Sequence, residues 1–203
     1  SFLTIFVPAN AEIKVVTSIK PIHSLASYLM DGVAKPDLIV DGYASPHGFA
    51  LKPSHAKMLQ NADLIFWVGE DLENFLEKPL KSVAKKAEKI ELMEIKGLTK
   101  LKFRERNIFE GHDHGHKEDD HDDHAKKEDD HDDHGHDDEH KEDGHDDHGH
   151  EGHAHGEYDP HIWLDPMNAK VILSEMAEHL IENDQKNEAK YKANLKKAHK
   201  DLD

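Results

Sequence analysis

A continuous stretch of the chain, residues 111–156, most strongly limits what this sequence can fold into. It holds 14 histidines, 19 aspartates or glutamates and 4 lysines, and almost no apolar side chain. Such a stretch cannot bury enough hydrophobic surface to offset the conformational entropy lost on folding. We therefore expect it to be a long loop, disordered without a ligand, and we expect the hydrophobic core to come from the residues on either side.

The composition of this stretch, here called the His/Asp-rich segment, predicts weak binding of divalent metal at several sites. KEDDHDDH occurs at 117–124 and again at 127–134, and 141–150 is a degraded third copy. Imidazole suits Zn, Cu and Ni, whereas Mg and Ca prefer oxygen ligands alone. A solubilising acidic linker with no metal role is the alternative. The candidate low-affinity ligands are His112, His114, His116, His121, His124, His131, His134, His136, His140, His145, His148, His150, His153 and His155.

Charge and residue usage exclude several functional classes. The net charge is −17, and the His/Asp-rich segment carries −15 of it, so the other residues are close to neutral. A basic surface for nucleic acid is absent from the sequence. Because the chain has no cysteine, a transition metal would have to be bound by histidine and carboxylate. We find no Walker or HExxH motif and no nucleophile with a base, and we do not expect an enzyme.

The first residues, 1–11, resemble the end of a signal peptide. An apolar run is followed by Ala9-Asn10-Ala11, which matches the A-x-A cleavage pattern. An ordinary first strand over 2–7 is the alternative. The sequence has no run of about 18 apolar residues that could span a membrane. We expect export, most simply to a bacterial periplasm.

Short apolar runs alternate with helical patterns in the remaining sequence, which predicts an α/β fold with a parallel four-stranded sheet covered by helices. The strand candidates are 13–17, 38–40, 64–68 and 90–93. Helices are predicted from Pro21, from Pro53 and over 72–87. The expected organisation is a signal-peptide remnant at 1–11, an α/β lobe at 12–110, the His/Asp-rich segment at 111–156, a return to the lobe at 157–165 and one long helix at 166–203. An uninterrupted helix of about 36 residues there would be about 54 Å long at 1.5 Å per residue.

Two histidines outside the His/Asp-rich segment lie in tight loops beside predicted strands. His47 stands in GYASPHGF, residues 42–49, and His161 stands in YDPHIWLDP, residues 158–166. Ligands of open parallel sheets bind beyond the carboxyl ends of the strands. Two neutral imidazoles meeting there would supply half of a tetrahedral zinc site. For either histidine alone, a loop residue bonded to backbone is the simpler interpretation.

The surrounding motifs resemble the metal-binding subunit of bacterial zinc-uptake ABC transporters, the periplasmic or cluster-9 solute-binding proteins. The resemblance rests on GYASPHGFALKPSHAKMLQNADLIFWVGEDLENFL (42–76), on PHIWLDP (160–166) and on the His/Asp-rich segment, and it covers the chain from Glu12 onward. It implies two α/β lobes joined by a long helix, with metal in the cleft between them. This chain would then be an N-terminal fragment, with the first lobe and most of the bridging helix but without the second lobe.

The resemblance also implies a ligand set and a function. His47 and His161 match the first-lobe ligands, and the remaining ligands would come from the second lobe. The implied protein is a non-enzymatic, monomeric periplasmic component that binds Zn²⁺ with high affinity. It would deliver the ion to an inner-membrane ABC permease driven by a cytoplasmic ATPase. Some zinc-binding members have a glutamate directly before the first histidine, but Pro46 stands here and excludes a carboxylate ligand at this point.

The other polar residues near these motifs are predicted to be structural or solvated. Of the carboxylates close to His161, Glu157 and Asp159 are interpreted as structural and Asp165 as the cap of the long helix. The histidines predicted to be solvated rather than metal-binding are His23, His55, His179 and His199.

Three alternatives to zinc transport remain open from the sequence. A manganese or iron binder of the same fold would need more carboxylate ligands. A zinc hydrolase would need a general base near His47 and His161. A surface adhesin would use the lobe for attachment. The position of the His/Asp-rich segment favours zinc capture, because it ends five residues before His161 and would concentrate ions beside the cleft.

Overall fold

A computed structural model describes residues 12–103 and 156–203. The predicted signal-peptide remnant and the fourteen histidines of the His/Asp-rich segment lie outside the described residues. None of the helices in the described ranges is long and apolar enough to cross a membrane.

Four parallel strands form one sheet, as the alternating pattern predicts. They are β1 (Val15–Thr17), β2 (Asp37–Leu38), β3 (Leu64–Trp67) and β4 (Glu88–Glu91). The spatial order is β2-β1-β3-β4, so the chain places its second strand at one edge and its fourth at the other. β1 and β3 are buried at every residue. Because successive side chains of a strand point to opposite faces, both faces of these central strands are covered.

Five helices surround the sheet: α1 (Lys20–Leu29), α2 (Pro53–Asn61), α3 (Glu70–Ser82), α4 (Pro166–Asn183) and α5 (Glu188–Asp201). Proline stands in the first turn of α1, α2 and α4, where its missing N–H leaves no hydrogen bond unmade. Asp165 accepts a hydrogen bond from the backbone N–H of Met167 at 2.8 Å. The predicted cap of this helix is therefore confirmed.

The expectation of one unbroken helix over 166–203 is wrong. α4 ends at Asn183, a short 3-10 turn follows at Gln185–Asn187, and α5 then runs back along α4. The ring of His199 near the end of α5 lies 3.3 Å from Oγ of Ser174 and 3.1 Å from the carbonyl of Lys170 on α4. The apolar spacing of three to four residues lapses between Ile181 and Tyr191, where the apolar residues of 182–190 are Ala189 alone. This gap, with the turn-forming pair Asn183-Asp184, is the signal that could have revealed the break.

Candidate metal centre

The loop after β2 carries His47 on the exposed surface. Gly42 and Gly48 within this loop adopt positive φ angles of 70° and 80°, which favour glycine and let the chain turn sharply. The backbone N–H of His47 donates to Oγ of Ser45 at 3.2 Å. The loop therefore presents the imidazole at the carboxyl end of the sheet, where parallel sheets bind their ligands.

His161 reaches the same place from a distant part of the chain. Before it, Lys102 and Tyr158 form an antiparallel bridge, and the N–H of Asp159 donates to the carbonyl of Leu101 at 2.8 Å. These bonds hold the backbone at 101–102 next to the backbone at 158–159. His161 then precedes a 3-10 turn at Ile162–Leu164, which leads into α4.

The two imidazole rings lie side by side, with ring centres 6.4 Å apart and planes tilted by 44°. Two imidazoles on one zinc ion, each at a Zn–N distance of about 2.0–2.1 Å, hold their ring centres roughly 5–6 Å apart. The observed separation is slightly larger than this spacing, so the two rings lie close to, but not at, the separation that one shared ion requires. The structure brings together the two histidines that the sequence motifs single out.

Both rings line an open cavity of about 250 Å³, here called the paired-histidine cavity. Its remaining lining comes from the ends of β1 and β2 and from the turn before α4. Trp163 lies beside His161 with ring centres 5.2 Å apart and limits its movement on one side. The other lining residues are Ile19, Lys20, Pro21, Val40, Gly42, Ala44 and Pro46.

Asp159 holds the His161 ring in a defined orientation, which the structural interpretation of that carboxylate missed. Its Oδ1 accepts the backbone N–H of His161 at 3.0 Å and lies 2.6 Å from ring Nδ1. The backbone hydrogen bond from His161, followed by the contact with its ring, lowers the pKa of the Asp159 carboxyl. An ionised carboxylate at Nδ1 keeps the proton there and leaves Nε2 free to bind a metal. The Asp-x-His spacing is the signal in the sequence that could have revealed this.

The two other carboxylates near His161 have separate partners. Glu157 pairs with Lys102 at 2.6 Å on the surface. Asp165 caps α4. Neither contact involves His161.

The prediction that four other histidines are solvated is wrong, because each is only partly exposed and has a protein contact. His23 bonds the carbonyl of Pro36, and His199 contacts α4. Nδ1 of His55 accepts the N–H of Lys52 at the start of α2, and burial followed by the charge of Lys52 lowers its pKa. His179 lies among carboxylates, away from this cavity.

His47 and His161 supply two nitrogens, half of a tetrahedral coordination shell. Across residues 12–103 and 156–203, the single group of three or more metal-ligating side chains close enough for one ion lies elsewhere and includes neither of them. A complete site at the paired-histidine cavity therefore needs further ligands, from water or from protein outside the described residues.

Comparison with known proteins gives a consistent family match. Residues 15–203 match the family model described as "Zinc-uptake complex component A periplasmic". The chain is 47% identical over 189 residues to the high-affinity zinc uptake system protein ZnuA of Brucella abortus strain 2308, covering 93% of this chain and 54% of that protein. It is 36% identical over 187 residues to the protein of the same name from Yersinia pestis, covering 92% and 52%. The chain thus spans about half the length of the curated relatives it matches.

Solved structures show the same fold at low sequence identity. The Zn(II)-bound ZnuA-like domain of Streptococcus pneumoniae AdcA superimposes with a TM-score of 0.61 at 16% identity, covering 95% of this chain and 52% of that one. The Mn-bound periplasmic metal binding protein of Candidatus Liberibacter asiaticus gives 0.60 at 18% identity, covering 93% and 52%. At these identities the likeness concerns the fold alone.

Proposed function

The chain belongs to the family of periplasmic zinc-uptake complex component A proteins, and on that premise we propose that it captures Zn²⁺ for an ABC-type import system. The observation that carries the proposal is the meeting of the His47 and His161 rings, 6.4 Å apart, at one cavity. These residues are 114 positions apart in the chain, so their approach is a property of the fold. In the proposed function they are the zinc ligands of this lobe.

The donor types favour zinc over manganese or iron. Two imidazoles are borderline-soft ligands that suit Zn²⁺, whereas Mn²⁺ and Mg²⁺ favour carboxylate and water. Asp159 contributes without binding the ion itself, since it fixes the His161 tautomer. Trp163 packs on the same ring and shields one side of the site. The remaining ligands would come from water or from protein outside the described residues.

The His/Asp-rich segment has a separate role in this proposal. Its histidines bind zinc weakly and at many sites. The described residues on either side, up to Phe103 and from Gly156, meet through the Lys102–Tyr158 bridge, and Tyr158 stands three residues before His161. Ions held by the segment are therefore concentrated next to the higher-affinity site. Capture by both elements weakens in acid because protonated imidazole cannot bind metal.

The remaining steps of the proposal are those expected of a family member. The protein acts in the periplasm as a monomer without enzymatic activity. It passes the ion to an inner-membrane permease whose cytoplasmic ATPase drives transport. This part of the proposal concerns the whole transport protein. The chain itself spans about half the length of the curated relatives it matches.

Zinc binding by variants of this chain tests the assignment. His47→Gln and His161→Gln should each abolish the site of highest affinity, measured by competition with a chelating dye at pH 7.5. His23→Gln is the matched control, because His23 bonds the Pro36 carbonyl away from the cavity. Thermal unfolding of each variant establishes that it is folded.

Deletion of 111–156 tests the division of roles. The deleted protein should lose the many weak sites and keep the strongest one. If the deletion removes the strongest site, or if His47→Gln leaves it intact, the proposal is wrong.

A further inference from the structure

A second group of metal-ligating side chains lies at the other end of the sheet. Glu88 is the first residue of β4, and His179 and Glu182 lie in the last two turns of α4. The paired-histidine cavity, in contrast, is lined by residues that follow the last positions of β1 and β2. Because all four strands are parallel, the two groups lie at opposite strand ends and cannot share an ion.

The three side chains are close enough to bind one metal ion. One ligand atom from each lies within 4.8 Å of the others. Nδ1 of His179 is 2.9 Å from Oε1 of Glu88 and 3.9 Å from Oε2 of Glu182. Two ligand atoms on one zinc ion are at most about 4.2 Å apart, since each bond is about 2.1 Å long. Both distances therefore fit a common ion with little movement of the side chains.

His179 carries a buried nitrogen without a hydrogen bond. Among the described residues, Nδ1 has no hydrogen-bond partner, although Oε1 of Glu88 is only 2.9 Å away, and the side chain as a whole is 19% exposed. A buried polar atom left without a partner is unfavourable and calls for an explanation in a native fold. Nδ1 lies within 4 Å of one oxygen of Glu88 and one oxygen of Glu182, so a cation held among these three atoms would give it a partner.

The surrounding contacts hold this arrangement in place. Nδ2 of Asn183 donates to Oε2 of Glu88 at 2.7 Å, so the other carboxylate oxygen is left to face His179. Oε1 of Glu175 lies 3.5 Å from Nε2, the other nitrogen of the ring. The group also lies at the carboxyl end of α4, where the helix dipole favours positive charge.

We propose that Glu88, His179 and Glu182 form a second divalent-cation site that ties the last turns of α4 to the start of β4. One imidazole and two carboxylates suit a borderline ion such as Zn²⁺ or Co²⁺. Three carboxylates surround the ring, counting Glu175, so a divalent ion also relieves their mutual repulsion. The alternative occupant of the same space is a proton, which would make His179 an imidazolium paired with its glutamates.

A zinc titration monitored by NMR at individual histidine rings distinguishes a bound divalent cation from a proton. The experiment uses the full chain carrying His47→Gln and His161→Gln, with nitrogen and carbon resonances of the histidine rings recorded at pH 7.5. The His179 resonances, Nδ1 above all, should shift along a saturable curve as Zn²⁺ is added. Glu182→Gln should abolish the shift. Glu178→Gln is the same change at an exposed position one helical turn before Glu182, and it should leave the shift unchanged.

Magnesium is the control for simple charge screening. Mg²⁺ should leave the His179 ring resonances in place, because it seldom binds imidazole. The proposal is overturned if Zn²⁺ does not shift these resonances or if Mg²⁺ shifts them equally. It is also overturned if the His179 resonances of the Glu182→Gln variant shift with Zn²⁺ as those of the parent do. The titration of the parent protein decides the question by itself if a variant fails to fold.

Discussion

Among single residues, Asp159 controls the orientation of the His161 ring. One carboxylate oxygen accepts the backbone N–H of His161 and also contacts ring Nδ1. These bonds lower the pKa of Asp159, so the carboxylate is ionised at every pH where neutral imidazole can bind metal. A metal-binding histidine held in this way is a better ligand, because its ring need not be reoriented or change tautomer on binding.

Asp159→Asn should weaken zinc binding at the paired-histidine cavity by about 10- to 100-fold. Asparagine can keep the backbone hydrogen bond, but it lacks the charge that retains the proton on Nδ1. The loss would be measured by dye competition at pH 7.5. Glu157→Gln is the matched control, since Glu157 pairs with Lys102 and does not contact the ring. Equal affinity of the two variants would contradict the positioning role.

At the scale of helices and strands, a buried tyrosine and aspartate stabilise the turn between α4 and α5. The hydroxyl of Tyr191 donates to Oδ2 of Asp184 at 2.8 Å, and Nδ2 of Asn187 donates to the same oxygen at 2.7 Å. Burial, followed by the hydrogen bond to Asp184, raises the pKa of Tyr191. The carboxylate is thus satisfied inside the turn, which allows two helices to replace one.

Tyr191→Phe should lower the free energy of unfolding by about 2 kcal/mol, the usual contribution of a buried hydrogen bond to a charged group. Urea unfolding at pH 7 measures the change. Tyr28→Phe is the control: its hydroxyl also donates to an aspartate, Asp201, but at an exposed position. We expect a clearly smaller loss there because water screens exposed pairs. Equal losses in the two variants would mean that the Asp184 contact does not hold the turn.

For the molecule as a whole, stability depends on a carboxyl group buried at the carboxyl end of the sheet. Glu73 is fully buried, and its Oε2 accepts the backbone N–H groups of Val68 at 2.7 Å and Gly69 at 3.2 Å. Burial raises the pKa of Glu73 to about 7, although these two hydrogen bonds act in the opposite direction. In the unfolded chain the same group ionises near its ordinary value of 4.5.

This difference in pKa predicts a stability that falls as pH rises. Between about 4.5 and 7 the folded protein keeps the proton on Glu73 while the unfolded chain loses it, so each step up in pH favours unfolding. Over that interval the contribution is on the order of 3 kcal/mol. Below this window the contribution is fully present, and above it none remains.

Glu73→Gln should remove this part of the pH dependence, because glutamine carries no charge and keeps an oxygen for the two N–H groups. Unfolding by urea at pH 5 and pH 8 gives the comparison, with the exposed Glu94→Gln as control. The Glu73 variant should gain stability relative to the parent at pH 8 far more than at pH 5. An unchanged difference between the two pH values would show that Glu73 does not keep its proton in the fold.

The sequence by itself determined the local features of this protein. The continuous apolar run at β3 predicted a buried parallel strand, because such strands are covered on both faces. Proline and aspartate near the start of α4 predicted where it begins. The motifs around His47 and His161 indicated the pair as ligands, since they resemble a family whose ligands lie at those positions. Each of these signals depends on residues close together in the chain.

Only the tertiary structure decided which distant residues meet. The approach of the His47 and His161 rings, the return of α5 along α4 and the grouping of Glu88 with His179 each join residues at least 25 positions apart. The apolar pattern is interrupted between Ile181 and Tyr191, but a polar stretch of that length can be the exposed surface of one helix as well as a turn between two. The choice between them depends on long-range burial and on whether a polar turn residue such as Asp184 finds partners, and these are properties of the packed molecule.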